Sequence, residues 1–379
     1  MFVMLDLVVL GILLAAQWRL VRHFTAHGRH RWPHAAAFVL VLLAGVALSM
    51  SPLVNRFHLP PDFSAIAGGV TVLYLLASGG AIVIHGLYGW LCRKMTPPAV
   101  DPARRRLLSA AGGALAAIPC AVAAYGVAQR AAFRVREVDV PIPHLPGDLD
   151  GLRIVHLSDI HLSVFLSEAE LARVIDAANE LRPHLAVMTG DLISTFGDPL
   201  DACLRQLARV RAEAGVIGCL GNHERYAGVE DETAAGAARL GMRFLRRHAE
   251  RLRFGGATLN VAGVDYEPLW RRPRYLAGAE RLAAPGAVNV LLAHNPDVFP
   301  VAARKGFDLT LAGHTHGGQV SVEILDRSLN TARFMTPYIY GLYVREGRAA
   351  YVTRGIGTIG IPARIGAPAE IALLRLRKA

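Results

Sequence analysis

Long stretches without a charged side chain constrain this sequence more than any other feature. Residues 32–55, 63–92 and 107–129 contain no Asp, Glu, Lys or Arg. A helix of about 20 apolar residues crosses a hydrocarbon core about 30 Å thick, and each stretch is long enough to do so. Residues 1–18 are a weaker candidate because Asp6 interrupts them. A cleaved signal peptide is the alternative there, although no basic region precedes the apolar run. We therefore predict an all-α bundle of about four transmembrane helices.

The net charge of +11 is concentrated in this apolar part of the chain. Residues 1–133 contain 11 Lys and Arg against 3 Asp and Glu, whereas residues 134–379 contain 30 against 27. A nucleic-acid-binding domain carries a marked basic excess. The nearly balanced charge of residues 134–379 therefore argues against a nucleic-acid partner, and the lipid bilayer is the partner expected for residues 1–133.

Basic residues cluster in two short loops between the predicted helices. They lie between Arg19 and Arg31 and between Arg93 and Arg106. The positive-inside rule places these loops in the cytoplasm, which leaves residues 134–379 on the other side. An internal twin-arginine export signal at Arg104–Arg106 is an alternative that sends the same region across the membrane. The sequence thus predicts a multi-pass protein of the cytoplasmic membrane with an extracytoplasmic C-terminal domain.

The C-terminal part of the chain has the alternating pattern of an α/β domain. Short apolar runs rich in β-branched residues recur from residue 153 onward, and helical patterns such as Glu168–Leu181 and Asp201–Ala212 lie between several of them. The predicted strands are Arg153–Leu157, Leu185–Met188, Val216–Leu220, Thr258–Val264, Val288–Leu292, Leu309–Leu311 and Ala350–Thr353. We predict a transmembrane helical region over residues 1–133 and a separate domain over residues 134–379.

Polar side chains follow five of these strands at the point where each strand ends. The candidate metal ligands are Asp159, His161, Asp191, Asn222, His294, His314 and His316. Ligands bind at the carboxyl ends of strands in open α/β sheets, so we expect these side chains to lie close together. Carboxylate, amide and imidazole groups without a thiolate suit borderline divalent ions such as manganese, iron, cobalt or zinc. Seven ligands exceed the needs of one tetrahedral zinc and predict two metal ions that share a bridging carboxylate.

The order of these motifs resembles the calcineurin-like metallophosphoesterase superfamily. The matching segments are Asp159–His161, Gly190–Asp191, Gly221–Glu224, His294 and Gly313–His316, which together cover about residues 150–320. Further segments resemble the membrane-associated branch of that superfamily. They are Tyr340–Tyr343 and Arg354–Gly357, with Pro362, Arg364 and Glu370.

The resemblance implies a fold, a cofactor and roles for the candidate residues. The fold would be a four-layer α/β/β/α sandwich in which two sheets pack face to face. Asp159, His161 and His316 would hold one metal ion, and Asn222, His294 and His314 would hold the second. Asp191 would bridge the two divalent ions, which would be manganese, iron or zinc.

The resemblance also implies a reaction, the hydrolysis of phosphate mono- or diesters by a metal-bridging hydroxide. His223 would be the general acid that protonates the leaving oxygen. Many members of the superfamily read G-D-x-x-D, where the second Asp orients this histidine, but this chain has Ser194 at that position. A catalytically silent metal-binding protein, acting as a membrane sensor or scaffold, is the alternative function.

The expected substrate is a phosphate ester, such as an ester of a lipid or of the cell envelope. Two further features of the sequence bear on how it would be bound. The segment from Glu267 to Leu276 is basic and aromatic, and it is interpreted either as a loop that contacts substrate or membrane or as a solvated loop. Arg354 and Arg364 are interpreted either as phosphate contacts or as surface residues in ion pairs.

Overall fold

The structure is a computed structural model that describes residues 61–95, 101–324 and 327–379. The chain divides into two compact units. The described residues of the first are 61–95, 101–128 and 360–363, and those of the second fall within 129–359 and 364–379. The predicted helices over residues 1–18 and 32–55 lie outside the described residues.

The first unit contains two long helices, α1 (Pro61–Met95) and α2 (Pro102–Ala128). Within them, Gly68–Lys94 and Pro102–Ala128 are long and apolar enough to cross a membrane. These helices coincide with the stretches predicted at residues 63–92 and 107–129. They pack closely, because the Tyr88 hydroxyl donates to the Leu108 carbonyl at 2.8 Å and a Cβ at Gly112 would come within 2.8 Å of the Tyr88 ring. Small residues allow this kind of approach between membrane helices.

The described residues of the second unit contain fourteen strands and five α-helices. The strands are β1 (Phe133–Ile142), β2 (Arg153–Leu157), β3 (Leu185–Met188), β4 (Val216–Gly218), β5 (Arg243–Phe244), β6 (His248–Phe254), β7 (Ala257–Gly263), β8 (Val288–Leu292), β9 (Leu309–Ala312), β10 (Ser321–Ile324), β11 (Arg327–Asn330), β12 (Gly341–Arg345), β13 (Arg348–Val352) and β14 (Ala369–Lys378). The helices are α3 (Glu168–Glu180), α4 (Leu200–Leu207), α5 (Asn222–Ala227), α6 (Glu230–Arg239) and α7 (Phe299–Arg304).

These strands form two six-stranded mixed sheets and one two-stranded sheet. The first sheet has the order β1-β14-β2-β3-β4-β5, and the second has the order β12-β13-β9-β8-β7-β6. Strands β2 to β5 run parallel, as do β7, β8, β9 and β13. The carboxyl ends of neighbouring strands therefore meet at one edge of each sheet, where the candidate ligands follow.

Strand β3, inside the first sheet, is buried on both faces. On β3, Leu185 and Val187 join an apolar cluster that contains buried residues of both six-stranded sheets. Ala186 and Met188 point the other way, into a cluster with helices α3 and α4. Successive side chains of a strand alternate between faces, so a strand buried on both sides has a continuous apolar sequence. A third cluster joins the second sheet to helix α7.

The strands and helices predicted from periodicity are present, although several of their bounds differ by one or more residues. Strand β4 ends at Gly218 rather than Leu220. Helix α4 ends at Leu207 rather than Ala212, because the N–H groups of Arg209 and Val210 bond three residues back, to Gln206 and Leu207, in a turn. The strands that the sequence analysis missed are β1, β5, β6, β10, β11, β12 and β14.

Candidate metal centre

The candidate ligands converge at the carboxyl edges of the two six-stranded sheets. The first sheet contributes the loops after β2, β3 and β4, and the second contributes the loops after β8 and β9. Potential ligand atoms lie within 4.8 Å of one another in three groups, which are Asp159 with His161 and His316, Asp191 with His294 and His314, and His161 with Asp191 and His223. The seventh candidate, Asn222, is buried at the start of α5.

The backbone at most of these positions is strained. Five of the seven candidates have a left-handed backbone with positive φ, namely Asp159 (51°), His161 (47°), Asp191 (55°), His314 (75°) and His316 (51°). Each such residue costs about 1–3 kcal/mol, and residues of this kind concentrate at functional sites. The loops brace one another, because the N–H groups of Asp159 and His161 donate to the carbonyls of Gly190 and Asp191 at 3.0 Å.

Asp159 is fully buried between the two sheets. Its carboxylate accepts the backbone N–H of His314 at 2.9 and 3.1 Å. A Cβ at Gly313 would lie 2.1 Å from Asp159 Oδ2, so only glycine allows this approach. Burial raises the pKa of Asp159 to about 6, although the charge of His294 opposes the shift. A divalent ion beside the carboxylate would compensate for this loss of hydration.

Asp191 lies between the two main groups. Its Oδ1 accepts the backbone N–H of His223 at 2.8 Å, and its Oδ2 is 3.0 Å from His294 Nε2 and 3.6 Å from His161 Nε2. Burial disfavours the charged carboxylate, but His294 outweighs burial and holds the pKa of Asp191 well below its ordinary value. An ionised carboxylate in contact with both groups has the position needed to bridge two cations.

Hydrogen bonds and burial orient the imidazole rings of the site and affect their protonation. His294 Nδ1 is 2.6 Å from the Thr189 carbonyl; since a carbonyl only accepts, Nδ1 carries the proton and Nε2 faces Asp191. His161 and His316 place their Nε2 atoms 3.2 Å apart. Burial lowers the pKa of His161 to about 3 and that of His314 to about 4, so both are neutral near pH 7. Neutral imidazole is the form that binds metals.

Asn222 offers an oxygen that nothing in the described part of the chain satisfies. Its Oδ1 is buried and has no hydrogen-bond partner there. Buried polar atoms in folded proteins nearly always have a partner, and a bound ion is one explanation for an exception. The unsatisfied amide oxygen, the buried carboxylates and the neutral imidazoles together fit a site for divalent metal ions.

His223 is oriented by the main chain rather than by an acidic side chain. Its Nδ1 lies 2.5 Å from the Ser194 carbonyl and therefore donates to it, which leaves Nε2 without the proton. The Ser194 hydroxyl instead lies 3.1 Å from His161 Nδ1. The Asp198 carboxylate fixes this loop by accepting the N–H groups of Ser194 and Thr195 at 2.8 and 2.9 Å. Ser194 thus contacts two histidines of the site, one through each of its oxygens.

Glu224 has a supporting role that was not predicted from the sequence. This buried side chain accepts the N–H groups of Asp191 at 2.9 Å, Leu192 at 2.6 Å and Gly221 at 2.7 Å. It thereby ties the loop after β3 to the start of α5. Burial raises the pKa of Glu224, and the nearby charge of Asp191 adds to the shift. The position of Glu224 inside the Gly221–Glu224 motif was the available signal.

Arg364 is not a surface residue in an ion pair, which was one of its two expected roles. Its side chain is buried, and it donates to the backbone carbonyls of Gly357, Ala367 and Arg354 at 2.5–3.1 Å. Arg364 therefore shapes the loop before β14 and is not a surface residue in an ion pair. Arg354 places its guanidinium 3.9 Å from the centre of the Tyr340 ring.

Comparison with known proteins identifies the domain. The family model of the calcineurin-like phosphoesterase matches residues 152–318. A transmembrane protein with metallophosphoesterase domain from Danio rerio is 33% identical over 276 residues, which are 69% of this chain and 62% of the relative. An uncharacterized metallophosphoesterase from Bacillus subtilis is 30% identical over 284 residues, which are 72% of this chain and 97% of the relative.

A third relative, an uncharacterized metallophosphoesterase from Campylobacter jejuni, is 32% identical over 256 residues. The chain spans 62% of the length of the Danio rerio relative and 63% of the Campylobacter jejuni relative. The resemblance seen in the motifs is confirmed, including its membrane-associated branch. The family is one of metal-dependent phosphoric ester hydrolases, and the clustered His and Asp side chains can hold its divalent ions. The chain belongs to the calcineurin-like metallophosphoesterase family.

Proposed function

We propose that this chain is a membrane-anchored phosphoesterase that hydrolyses phosphate mono- or diesters at a centre of two divalent metal ions. The observation that carries the proposal is the position of Asp191, whose carboxylate contacts both main groups of candidate ligands. Two bound cations would neutralise phosphate oxygens and generate a nucleophile from water near neutral pH. The remaining steps fall to side chains of the protein.

The ligand assignment follows the two groups. Asp159, His161 and His316 would hold one ion, and Asn222, His294 and His314 would hold the other. Asp191 would contact both. The two carboxylates compensate part of the cationic charge, while the neutral imidazoles of His161, His314 and His316 add ligands without adding charge. Burial disfavours a charged His294, but the Asp191 carboxylate raises its pKa to about 10, so His294 would give up a proton when it binds an ion. This donor set favours manganese, iron or zinc.

His223 is the general acid of the proposed reaction. In its protonated form, Nε2 would donate a proton to the leaving oxygen while Nδ1 keeps its hydrogen bond to the Ser194 carbonyl. The Ser194 carbonyl fixes the orientation of the ring, but it carries no negative charge, unlike the carboxylate that many members of the family have at this position.

The finer architecture is part of the same proposal. The three apolar clusters support a four-layer α/β/β/α sandwich, since one lies between the six-stranded sheets and the others cover their outer faces. We place about four transmembrane helices in residues 1–133, the catalytic domain in residues 134–379, and that domain outside the cytoplasmic membrane. The substrates would then be phosphate esters of lipids or of the cell envelope.

The test uses the full chain, purified in detergent. Metal analysis should find two divalent ions per chain, and added manganese should support hydrolysis of nitrophenyl phosphate, bis(nitrophenyl) phosphate or both. Removal of metal with a chelator should abolish hydrolysis, and its return should restore it. A metal-loaded protein that cleaves neither ester would instead support the silent sensor or scaffold.

A further inference from the structure

A cavity with arginine walls opens beside the metal centre. It has a volume of about 290 Å³ and is lined by Gly221, Tyr266 and the side chains of Arg225, Arg247 and Arg271. Gly221 and Tyr266 join this cavity to the centre: a Cβ at Gly221 would lie 2.1 Å from Asp191 Oδ1, and the Tyr266 ring lies 5.5 Å from the ring of His314. The cavity is therefore close enough to the centre for one molecule to occupy both.

The arginines of this cavity lack acidic partners among the described residues. Arg225 and Arg271 make no ion pair there, and Arg247 donates only to the Ala277 carbonyl, through Nη2. Arg271 lies 5.5 Å from the centre of the Trp270 ring, which is 72% exposed. A guanidinium without a partner keeps its hydrogen-bond donors available, and its planar fork matches phosphate and carboxylate oxygens.

The acidic residues on the cavity wall do not cancel this positive charge. Asp265 is paired with Arg246 at 3.0 and 3.2 Å. Glu267 is 6% exposed and accepts the N–H of Leu276, so it fixes the loop that carries Arg271. Glu230 is the remaining acid on the wall. Three guanidinium groups therefore face two carboxylates that have no cationic partner within the described chain.

The positive surface continues away from the metal centre. A second cavity of about 510 Å³ shares Arg247, Glu267 and Arg271 with the first, and adds Trp270 and Arg274. Arg274 also has no ion pair in the described part of the chain. The two cavities form a path from Gly221 to the exposed Trp270 along which guanidinium charge exceeds carboxylate charge.

The geometry points to a second anion-binding site for the substrate. We propose that Arg225, Arg247 and Arg271 bind a second phosphate or carboxylate on the ester whose scissile phosphate lies at the metal centre. This inference rests on the proposed phosphoesterase function and narrows its substrates to esters with an additional anionic group. That group can belong to a soluble ester or to a lipid head group.

A matched pair of substrates tests the preference. Both are nitrophenyl alkyl phosphodiesters, and the alkyl arm ends either in a hydroxyl or in a phosphate. With the full chain and manganese, we expect kcat/KM to be at least about tenfold higher for the phosphate-ended ester, as charge-assisted hydrogen bonds would provide. In the double variant Arg247→Gln/Arg271→Gln this ratio should fall to about one. The control is Arg272→Gln, which alters an exposed arginine of the same segment outside both cavities and should keep the wild-type ratio.

A second measurement does not depend on activity. Phenylglyoxal modification of Arg247 and Arg271 is followed by mass spectrometry, with Arg272 as the internal control. Glycerol 3-phosphate should slow modification of the two cavity arginines if the site takes soluble anions. Vesicles of phosphatidylcholine with phosphatidic acid should slow it, relative to phosphatidylcholine alone, if the site takes lipid head groups.

The outcomes separate this inference from the proposed function. Equal kcat/KM for the two esters in the wild type, or a preference that survives in the double variant, would overturn the second site. So would the absence of protection by either phosphate source. An inert protein whose Arg247 and Arg271 are nevertheless protected would refute the phosphoesterase function and leave the anion site standing.

Discussion

The two six-stranded sheets contribute different chemistry to the metal centre. The first sheet supplies Asp159, Asp191 and Asn222, which are all the candidate ligands with oxygen donors, together with His161. The second sheet supplies only imidazoles, from His294, His314 and His316. Both negative charges therefore come from one sheet. In the proposed centre, the first sheet would provide the charge that holds the cations, and the second would complete their coordination.

Hydrogen bonds join the two contributions. The N–H of His314, on the second sheet, donates to Asp159 on the first, and His294 Nδ1 donates to the Thr189 carbonyl at the end of β3. Each sheet thus positions ligands of the other. The centre can form only when the two sheets are packed together.

Loss of the shared carboxylate should have the largest effect. We expect Asp191→Ala to lower turnover at least about 1,000-fold, since several kcal/mol of charge stabilisation would be lost at both ions. His314→Ala, on the second sheet, removes a neutral ligand. It should reduce turnover less than Asp191→Ala does, and it should release fewer metal ions. Metal analysis and initial rates on the same samples measure both effects. Two ions and full turnover in Asp191→Ala would refute the bridging role.

The next largest effect concerns His223, which follows β4 of the first sheet and is proposed to be the general acid rather than a metal ligand. His223→Ala should lower turnover about 100-fold or more, as expected for the loss of a general acid, with metal content unchanged. The structure makes this a sharp test, because the His223 ring lies 4.8 Å from the ring of His161 and can also reach the ligand group of Asp191. Loss of an ion from His223→Ala would make His223 a ligand and contradict the assignment.

The smallest effect should come from a residue that supports ligands of the first sheet. Ser194→Ala removes the hydroxyl beside His161 Nδ1 and should weaken metal binding about tenfold, as for other groups that orient a ligating histidine. The carbonyl that orients His223 remains, so the pH profile of turnover should not move. Thr195→Ala, in the same loop, is the matched control for metal titrations. Unchanged metal affinity in Ser194→Ala, or a shifted pH profile, would contradict this division of roles.

The ligand positions were predictable because each follows a continuous apolar run. Strands such as β3 are buried on both faces, so their ends are easily recognised, and polar side chains at those ends then stand out. Strands β1 and β14 were harder to recognise. Most of β1 is exposed or half-buried on both faces, so it shows no apolar run. Its parallel pairing with β14 joins residues 133–142 to residues 369–378, which only the folded chain brings together.

Other features of the site involve the main chain and cannot be predicted from the pattern of side chains in the sequence. The carbonyl that orients His223 belongs to Ser194, whose side chain suggested only a missing carboxylate. The left-handed backbone at five candidate ligands is likewise a property of the loops. Arg364 was expected at the surface or at the substrate, because the neighbouring sequence does not show that its side chain donates to three backbone carbonyls.

By itself the sequence determined the apolar helices, the α/β pattern, the family and the seven candidate ligands. These features depend on local composition and on motifs that follow strands. Tertiary structure decided how the ligands group around Asp191, what holds His223, and which arginines line a cavity beside the centre. Such relations join residues that are far apart in the chain, and they arise only when the two sheets pack and their loops meet at one edge.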